Sequence, residues 1–273
     1  MKAIVRSPIC PLMSQPRRDC ELADEALSGM VVDVLERTTA GYCKVRTHYR
    51  YEGYACVDGL IVSDEKAAWW AGLPKKVVLY KNTCDVMAEP KVQSWPRVTL
   101  TRGAAVSPAG EPEKGWQRVK LPDGAEGYLR ASWLGDYFDA PPDLPEEELR
   151  RRIVDTAMLY AGTHYRWGGK SPLGIDCSGL TSMAYLLNGI VIYRDARIKE
   201  GFSLHEISRE EMKAGDLLFF PGHVAMYLGD GRYCHSTGRA GDDGFAVNSL
   251  DPAAPDYRAD LAGAITQTGS YFD

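Results

Sequence analysis

The chain is expected to hold two small antiparallel β-barrels followed by an α+β domain. Three observations carry that expectation. The first half aligns with itself at an offset of 74 residues, a proline-rich stretch closes it, and the remainder alternates helical and strand patterns. The proportions fit: 273 residues are 45% hydrophobic and 25% charged, with 27 Gly and 16 Pro. Those are the values of an ordinary globular chain. A single core seldom grows past roughly 250 residues, so more than one domain is expected.

At the 74-residue offset, Cys10, Met13 and Pro16 fall on Cys84, Met87 and Pro90. Gly29 and Val32 fall on Gly103 and Val106, and Gly41 and Val45 on Gly115 and Val119. Glu52-Gly53-Tyr54 meets Glu126-Gly127-Tyr128, Leu60 meets Leu134, and Tyr42 meets the aromatic Trp116. A chance register would not keep so many glycines and aromatics in step, so two copies of one module are inferred. Each copy reads as short strands. VVDVLE (31–36), YCKVRTHY (42–49) and GYACV (53–57) form the first set. TLTRGAAVSP (99–108), GWQRVKL (115–121), a Pro122-Asp123-Gly124 turn and GYLRASWL (127–134) form the second. Alternation, β-branched and aromatic residues, and Gly/Asp turns are the marks of small barrels.

Asp139 to Pro145 carries three prolines and reads as a boundary, dividing the chain into 1–70, 71–140 and 141–273. A helix is expected from Pro145, with Glu146, Glu147 and Glu148 in the first turn, where the macrodipole favours acids. Asp143 and Glu146 have capping-box spacing. Leu149, Ile153, Ala157 and Tyr160 form its apolar stripe, and Gly162 ends it. Gly168-Gly169-Lys170-Ser171 imitates the end of a phosphate-binding loop. The pattern fails, because His164 stands where glycine is needed and Pro172 blocks the helix start.

Cys177 follows the loop-like Gly174-Ile175-Asp176 and precedes a helical run with Leu180, Ala184 and Leu187 on one face, stopped by Asn188-Gly189. A helix N-terminus stabilises a thiolate and is expected to lower its pKa. Its free N–H groups can also hold an oxyanion. A thiolate nucleophile needs a base, and the base needs an orienting partner. GDLLFF, HVAMYLG and RYCHST (215–237) read as consecutive strands. His223 and His235 share a face only if His235 lies opposite Ala225, and a three-residue Gly229-Asp230-Gly231 loop ending in a bulge would place it there. Cys234 should face away as core.

Composition closes other routes. Lys+Arg 32 against Asp+Glu 37 gives a net charge of −5 and no basic stripe for nucleic acid. No stretch approaches the roughly 18–20 apolar residues of a membrane span. No Cys or His spacing suggests zinc, and no metal or cofactor is expected. Seven cysteines, an odd number, do not suggest a disulfide framework. The first residues lack the apolar run of about 7–15 residues that a secretory signal needs. A cytoplasmic location is expected, with export after signal removal as the alternative.

The phrase Gly-aromatic-x-(Lys/Arg)-Val … Gly-Tyr resembles bacterial SH3-like domains over roughly 1–68 and 75–138. HYRWGGKSPLGIDCSGL and GDLLFFPGHVAMYLGDGRYCHST resemble the NlpC-type, papain-like cysteine peptidases of bacterial cell-wall metabolism, over roughly 146–273. By that resemblance Cys177 is the nucleophile, His223 the general base, His235 its orienting partner, and Tyr165 a shaper of the oxyanion site. His164 departs from the family, where Pro is common. The order of domains is similar to γ-D-glutamyl-L-diamino acid endopeptidases, in which the first SH3-like domain folds over the active site and restricts substrates to those with free N-terminal L-Ala. That implies a murein peptide as partner, cut between D-Glu and L-Lys or meso-diaminopimelate, with L-Ala-γ-D-Glu released for recycling. Asp195 then matches the residue that binds the amine, and Asp176, Ser178 and Trp167 match the dipeptide pocket. Tyr51 and Glu21 match contacts from the first domain, with Glu25 as an alternative on the same helical face. Their counterparts in the second copy are Ala125 and Trp95. A secreted lytic endopeptidase, a wall-binding protein with a decayed catalytic domain, and an acyltransferase are the competing readings.

Overall fold

The computed structural model describes residues 1–273, which divide into two compact units, Met1–Tyr137 and Phe138–Asp273. The first unit opens with β1 (Lys2–Val5), β2 (Ile9–Met13), β3 (Leu22–Leu27), β4 (Val31–Arg37), β5 (Tyr42–Thr47), β6 (Glu52–Cys56) and β7 (Leu60–Val62). These make a seven-stranded sheet in the order β3-β2-β6-β5-β4-β1-β7. After helix α1 (Asp64–Ala71) come β8 (Lys76–Val78), β9 (Thr83–Met87), β10 (Pro96–Thr101), β11 (Ala105–Pro108), β12 (Trp116–Lys120), β13 (Glu126–Arg130) and β14 (Leu134–Asp136). Their sheet repeats the first order, β10-β9-β13-β12-β11-β8-β14, and every strand begins 74 residues after its counterpart. The repeat seen in the residues is therefore a repeat of topology.

Period-2 burial builds each core. Cys43, Val45 and Thr47 point inward from β5 while Arg46 stays in solvent. Cys10, Leu12, Val32 and Ala55 join Cys43 and Val45 in one core; Cys84, Val86, Val106, Val119 and Leu129 fill the other. The copies are joined by a smaller cluster of Ile4, Ala67, Trp70 and Ala105. Trp70 Nε1–H donates to the Gly29 carbonyl at 2.8 Å, and the Ala105 N–H to the Ser28 carbonyl at 2.8 Å.

Gly29 and its repeat partner Gly103 both have left-handed backbone, φ +87° and +90°. A Cβ on Gly29 would also meet the Ala105 carbonyl oxygen at 2.8 Å. Gly41, at φ +78°, has nothing within 4 Å of such a Cβ. Gly41→Ala is therefore expected to lose only the backbone strain, roughly 1–2 kcal/mol, and Gly29→Ala clearly more. Urea denaturation of both variants checks this, and equal losses would remove the packing role of Gly29.

The segment around Glu21 and Glu25 is β3, not a helix, which corrects the expectation of a shared helical face. LADEAL is rich in helix formers, and strand pairing with β2 overrides that propensity. Asp24 and Glu25 are buried there, whereas Glu21 is exposed just ahead of the strand. The Tyr49 hydroxyl donates to Asp24 Oδ2 at 2.6 Å.

The second unit contains α2 (Glu146–Met158), β15 (Lys170–Ser171), β16 (Gly174–Ile175), α3 (Cys177–Leu186), β17 (His205–Ile207), β18 (Leu217–Phe220), β19 (His223–Gly229), β20 (Arg232–Thr237), β21 (Gly244–Ser249), α4 (Ala259–Ala262) and β22 (Gln267–Ser270). Its main sheet is six-stranded and antiparallel, in the order β17-β22-β18-β19-β20-β21. Helix α3 packs on β19, on β20 and on α2. The expected stripe of Leu149, Ile153, Ala157 and Tyr160 is buried. The expected capping box is absent, because Pro145 takes the N-cap position and no side chain caps the helix. Glu146 instead bonds Arg150 at 2.8 Å and Lys213 at 3.2 Å. No helix is long and apolar enough to cross a membrane.

Candidate active site

Cys177 is the first residue of α3, held there by its neighbour. The Asp176 carboxylate caps the helix by accepting from Gly179 N–H, and it accepts from Gly168 N–H at 2.8 Å. A side chain at 179 would run into the Gly169 carbonyl, which is why Gly follows Ser in this turn. Arg194 binds both Asp176 oxygens at 3.0 Å and donates to Ser178 Oγ at 2.8 Å. Both Asp176 and Arg194 are buried, so this is a fork-on-carboxylate pair out of water. Ser236 on β20 donates to the Ile175 carbonyl at 2.7 Å, tying the approach to Cys177 onto the sheet.

The sheet brings the histidines together. Met226 pairs with Cys234 and Tyr227 with Tyr233, the register that sets His235 opposite Ala225. The expected register is thus present, by a different device. The turn is the two residues Asp230 and Gly231, both at positive φ, and the extra residue is a bulge at Leu228 between Tyr227 and Gly229. His223 Nε2 lies 2.7 Å from His235 Nδ1, and His235 Nε2 lies 2.8 Å from Asn248 Oδ1. Asn248 on β21 was not singled out from the residues; only the β20–β21 pairing brings it to His235.

Burial governs the titration of the site. It holds the Cys177 thiol up at about 11, with Asp176 adding to the rise, while hydrogen bonds from the Val224 and Ser178 backbone pull it down. The helix-start expectation of a lowered thiol pKa is therefore corrected: Cys177 is only 6% exposed, and desolvation outweighs the helix end. Burial also lowers His223 to about 3, helped by His235, and lowers His235 against the opposing bond to Asn248. Each shift is the penalty on a lone charge. A proton passed from the thiol to His223 would make both charges at once, and their mutual attraction would oppose that penalty.

The same shifts set a stability window. Below pH 6.5 the unfolded chain protonates His223 while the native state does not until about 3, so stability falls with acidification. Above pH 9 the native state keeps protons on Cys177, Cys10, Cys84 and Cys234, raised to between about 11 and 12, so stability falls again. Each group contributes a slope of up to about 1.4 kcal/mol per pH unit. Urea midpoints are expected to plateau between those limits, and His223→Gln should flatten part of the acid side. An unchanged midpoint in that variant at acid pH would contradict the assignment.

Tyr165 is half-buried near Cys177, and burial pushes its hydroxyl to about 12. Ser178 is buried against Arg194, Trp167 is 61% exposed, and Asp195 is half-buried with its carbonyl accepting from Arg197 N–H at 2.7 Å. Tyr51 and Glu21 belong to the first unit. Tyr51 closes the β5–β6 turn on Thr47, and the Glu21 carbonyl accepts from Ser14 N–H. Asp24, Glu25 and Tyr49 are a polar group there that the residue pattern did not reveal, and at the 74-residue offset they become Val98, Thr99 and Asp123.

The NlpC/P60 family profile matches residues 162–253, and the bacterial dipeptidyl-peptidase Sh3 domain profile matches residues 12–60. Dipeptidyl-peptidase 6 of Lysinibacillus sphaericus is 46% identical over 275 residues, covering 100% of both chains. The chain belongs to the NlpC/P60 family. This NlpC/P60 cysteine peptidase joins an SH3-like N-terminal domain to its catalytic domain. It is also 34% identical over 157 residues to a γ-D-glutamyl-L-lysine dipeptidyl-peptidase of Bacillus cereus, covering 54% of this chain and 44% of that one. An NlpC/P60 family protein from Bacillus cereus ATCC 10987 shares the fold, with a TM-score of 0.80 at 23% identity over 100% of both chains. In the NlpC/P60 unit, a thiol at the start of a helix packed on the strands that carry a histidine pair can perform acyl transfer: attack, proton relay and release.

Proposed function

We propose that this peptidase hydrolyses the γ-D-glutamyl–L-diamino acid bond of murein peptides with a free N-terminal L-Ala, releasing L-Ala-γ-D-Glu. The observation that carries the chemistry is the His223–His235 contact on the sheet against which Cys177 is packed. Cys177 Sγ attacks the γ-carbonyl carbon of D-Glu and passes its proton to His223. The amide nitrogen of L-Lys or meso-diaminopimelate leaves with that proton, and a thioester remains. Water then attacks the thioester, His223 takes one water proton and returns it to Sγ, and the γ-carboxylic acid departs, losing the other proton to solvent as it ionises. His235 orients His223. Tyr165 and the α3 N-terminus face the oxyanion, and Ser178 and Trp167 belong to the dipeptide pocket.

Asp195 would pair the substrate ammonium, because a buried charge needs a partner. A muramoyl cap removes that charge and leaves the carboxylate unpaired, a steeper discrimination than size gives. The names of the two relatives, both dipeptidyl-peptidases, support the substrate class. An enzyme acting on free peptides would follow an amidase, in recycling within the cytoplasm. The shared strand order supports reading β8–β14 as a second SH3-like barrel, with domains at 1–70, 71–140 and 141–273.

Mass spectrometry of L-Ala-γ-D-Glu-L-Lys and its muramoyl-capped form tests the reading. The free tripeptide should be cut and the capped one spared. Equal cleavage of both would leave the nucleophile and remove the amine recognition; cleavage of neither would remove the peptidase reading.

A further inference from the structure

We propose that Asn248 is a positioning residue that fixes which nitrogens of the histidine pair carry protons, so that His223 always presents a bare Nδ1 as base. The inference deepens the proposed mechanism and rests on it for the roles of Cys177 and His223.

The chain of deductions starts at a backbone carbonyl. Asn248 Nδ2 donates to the Asp256 carbonyl at 2.9 Å, and a carbonyl only accepts, so the amide end there must be NH₂. Asp256 is itself anchored, its carboxylate by Arg232 at 2.8 Å and its carbonyl by Ser249 N–H at 3.4 Å. Oδ1 is thereby turned to His235 Nε2 at 2.8 Å, and being an acceptor it requires Nε2–H. A neutral His235 with Nε2–H has a bare Nδ1, which at 2.7 Å accepts from His223 Nε2–H. A neutral His223 with Nε2–H has a bare Nδ1, the one ring nitrogen left to take a thiol proton. The Val224 N–H bonded to Cys177 places the residue beside His223 against that sulfur.

The opposite pattern is penalised at its far end. With Nδ1–H on His235, its Nε2 would face Asn248 Oδ1 as acceptor against acceptor inside the fold, a buried mismatch. His223 Nδ1 would then carry the proton and could not act as base. Arg258, Asp242 and Asp260 are the charged side chains acting on His235, while Arg258 and Asp260 act on His223. None of them specifies a tautomer.

The test uses the full chain with ¹⁵N-labelled histidine, and alkylation of Cys177 by iodoacetamide across pH. Alkylation needs no peptide, so it stands whether or not the substrate reading does. The wild-type spectrum should show Nε2–H on both His223 and His235. Asn248→Leu should slow alkylation near neutral pH by about 10²-fold, the low end of general-base contributions. Asn248→Asp gives up the bond to the Asp256 carbonyl but keeps an acceptor for His235 Nε2–H, and should recover most of the alkylation loss. Its acid limb should move to higher pH, because a carboxylate favours the imidazolium. A proton on His235 Nδ1 in the wild type, or equal slowing in the Leu and Asp variants, would overturn the proposal. If the Leu variant does not fold, the wild-type spectrum and the Asp variant decide. Uncut peptide with the expected alkylation pattern would sink the substrate reading and leave the relay standing.

Discussion

Replacing Cys177 by Ala is expected to cut tripeptide hydrolysis by roughly 10⁴–10⁶-fold, the scale seen when a nucleophile of this kind is removed. The substitution suits the site. Cys177 is buried at the first turn of α3, and Ala keeps the helix start, the Asp176 cap and the packing on β19. Loss of rate in a variant with an unchanged urea midpoint would therefore report chemistry. His223→Ala should cost about 10²–10⁴-fold. The double variant should be no slower than Cys177→Ala alone, because in the proposed mechanism the two act as one unit. Additive losses would mean that His223 works on substrate independently of Cys177.

Arg194→Leu is expected to destabilise the second unit by roughly 3–5 kcal/mol, the range for breaking a buried ion pair from one side. Its guanidinium satisfies both Asp176 oxygens, Ser178 Oγ and, at 3.3 Å, the Gly169 carbonyl. Asp176 would keep its two backbone donors but lose its countercharge. Activity should fall with stability, because the same carboxylate caps the helix that carries Cys177. Thermal or urea unfolding measures the first effect and alkylation of Cys177 the second. Arg194→Leu with Asp176→Asn should lose less than the sum of the two, since the unpaired charge is gone. Strict additivity, or a loss under about 1 kcal/mol, the worth of a surface pair, would show that the pair is not the support described.

What the residues disclosed and what they hid follow one physical line. The helix start at Cys177 is legible because helix starts have local signatures, and the His223–His235 register because only one strand parity puts both on one face. The bulge lies at Leu228 and not in the loop, since any single insertion in the hairpin restores the same parity. Arg194 on Asp176 and Asn248 on His235 were hidden, because tertiary packing makes those contacts and no periodicity encodes them. The thiol pKa is hidden for the same reason: a helix end is local, desolvation is not. In the first unit three strands per copy could be read from alternation. β3 was lost to its Ala, Glu and Leu content, and α1 went unread.

The 74-residue repeat has a consequence for how the chain assembles. Neighbouring sheets with one strand order invite exchange, in which a strand of one copy is adopted by the other during folding. The interiors are built to refuse it. Ala26 on β3 corresponds to Leu100 on β10, and Thr47 on β5 to Leu121 just past β12, all four buried. A traded β3 and β10 would force a leucine into a space shaped for alanine and leave a void where the leucine belonged. Overpacking costs about 1–3 kcal/mol and a void of that size about as much or more. The divergence of the copies thus acts as a steric key, steering each strand to its own sheet.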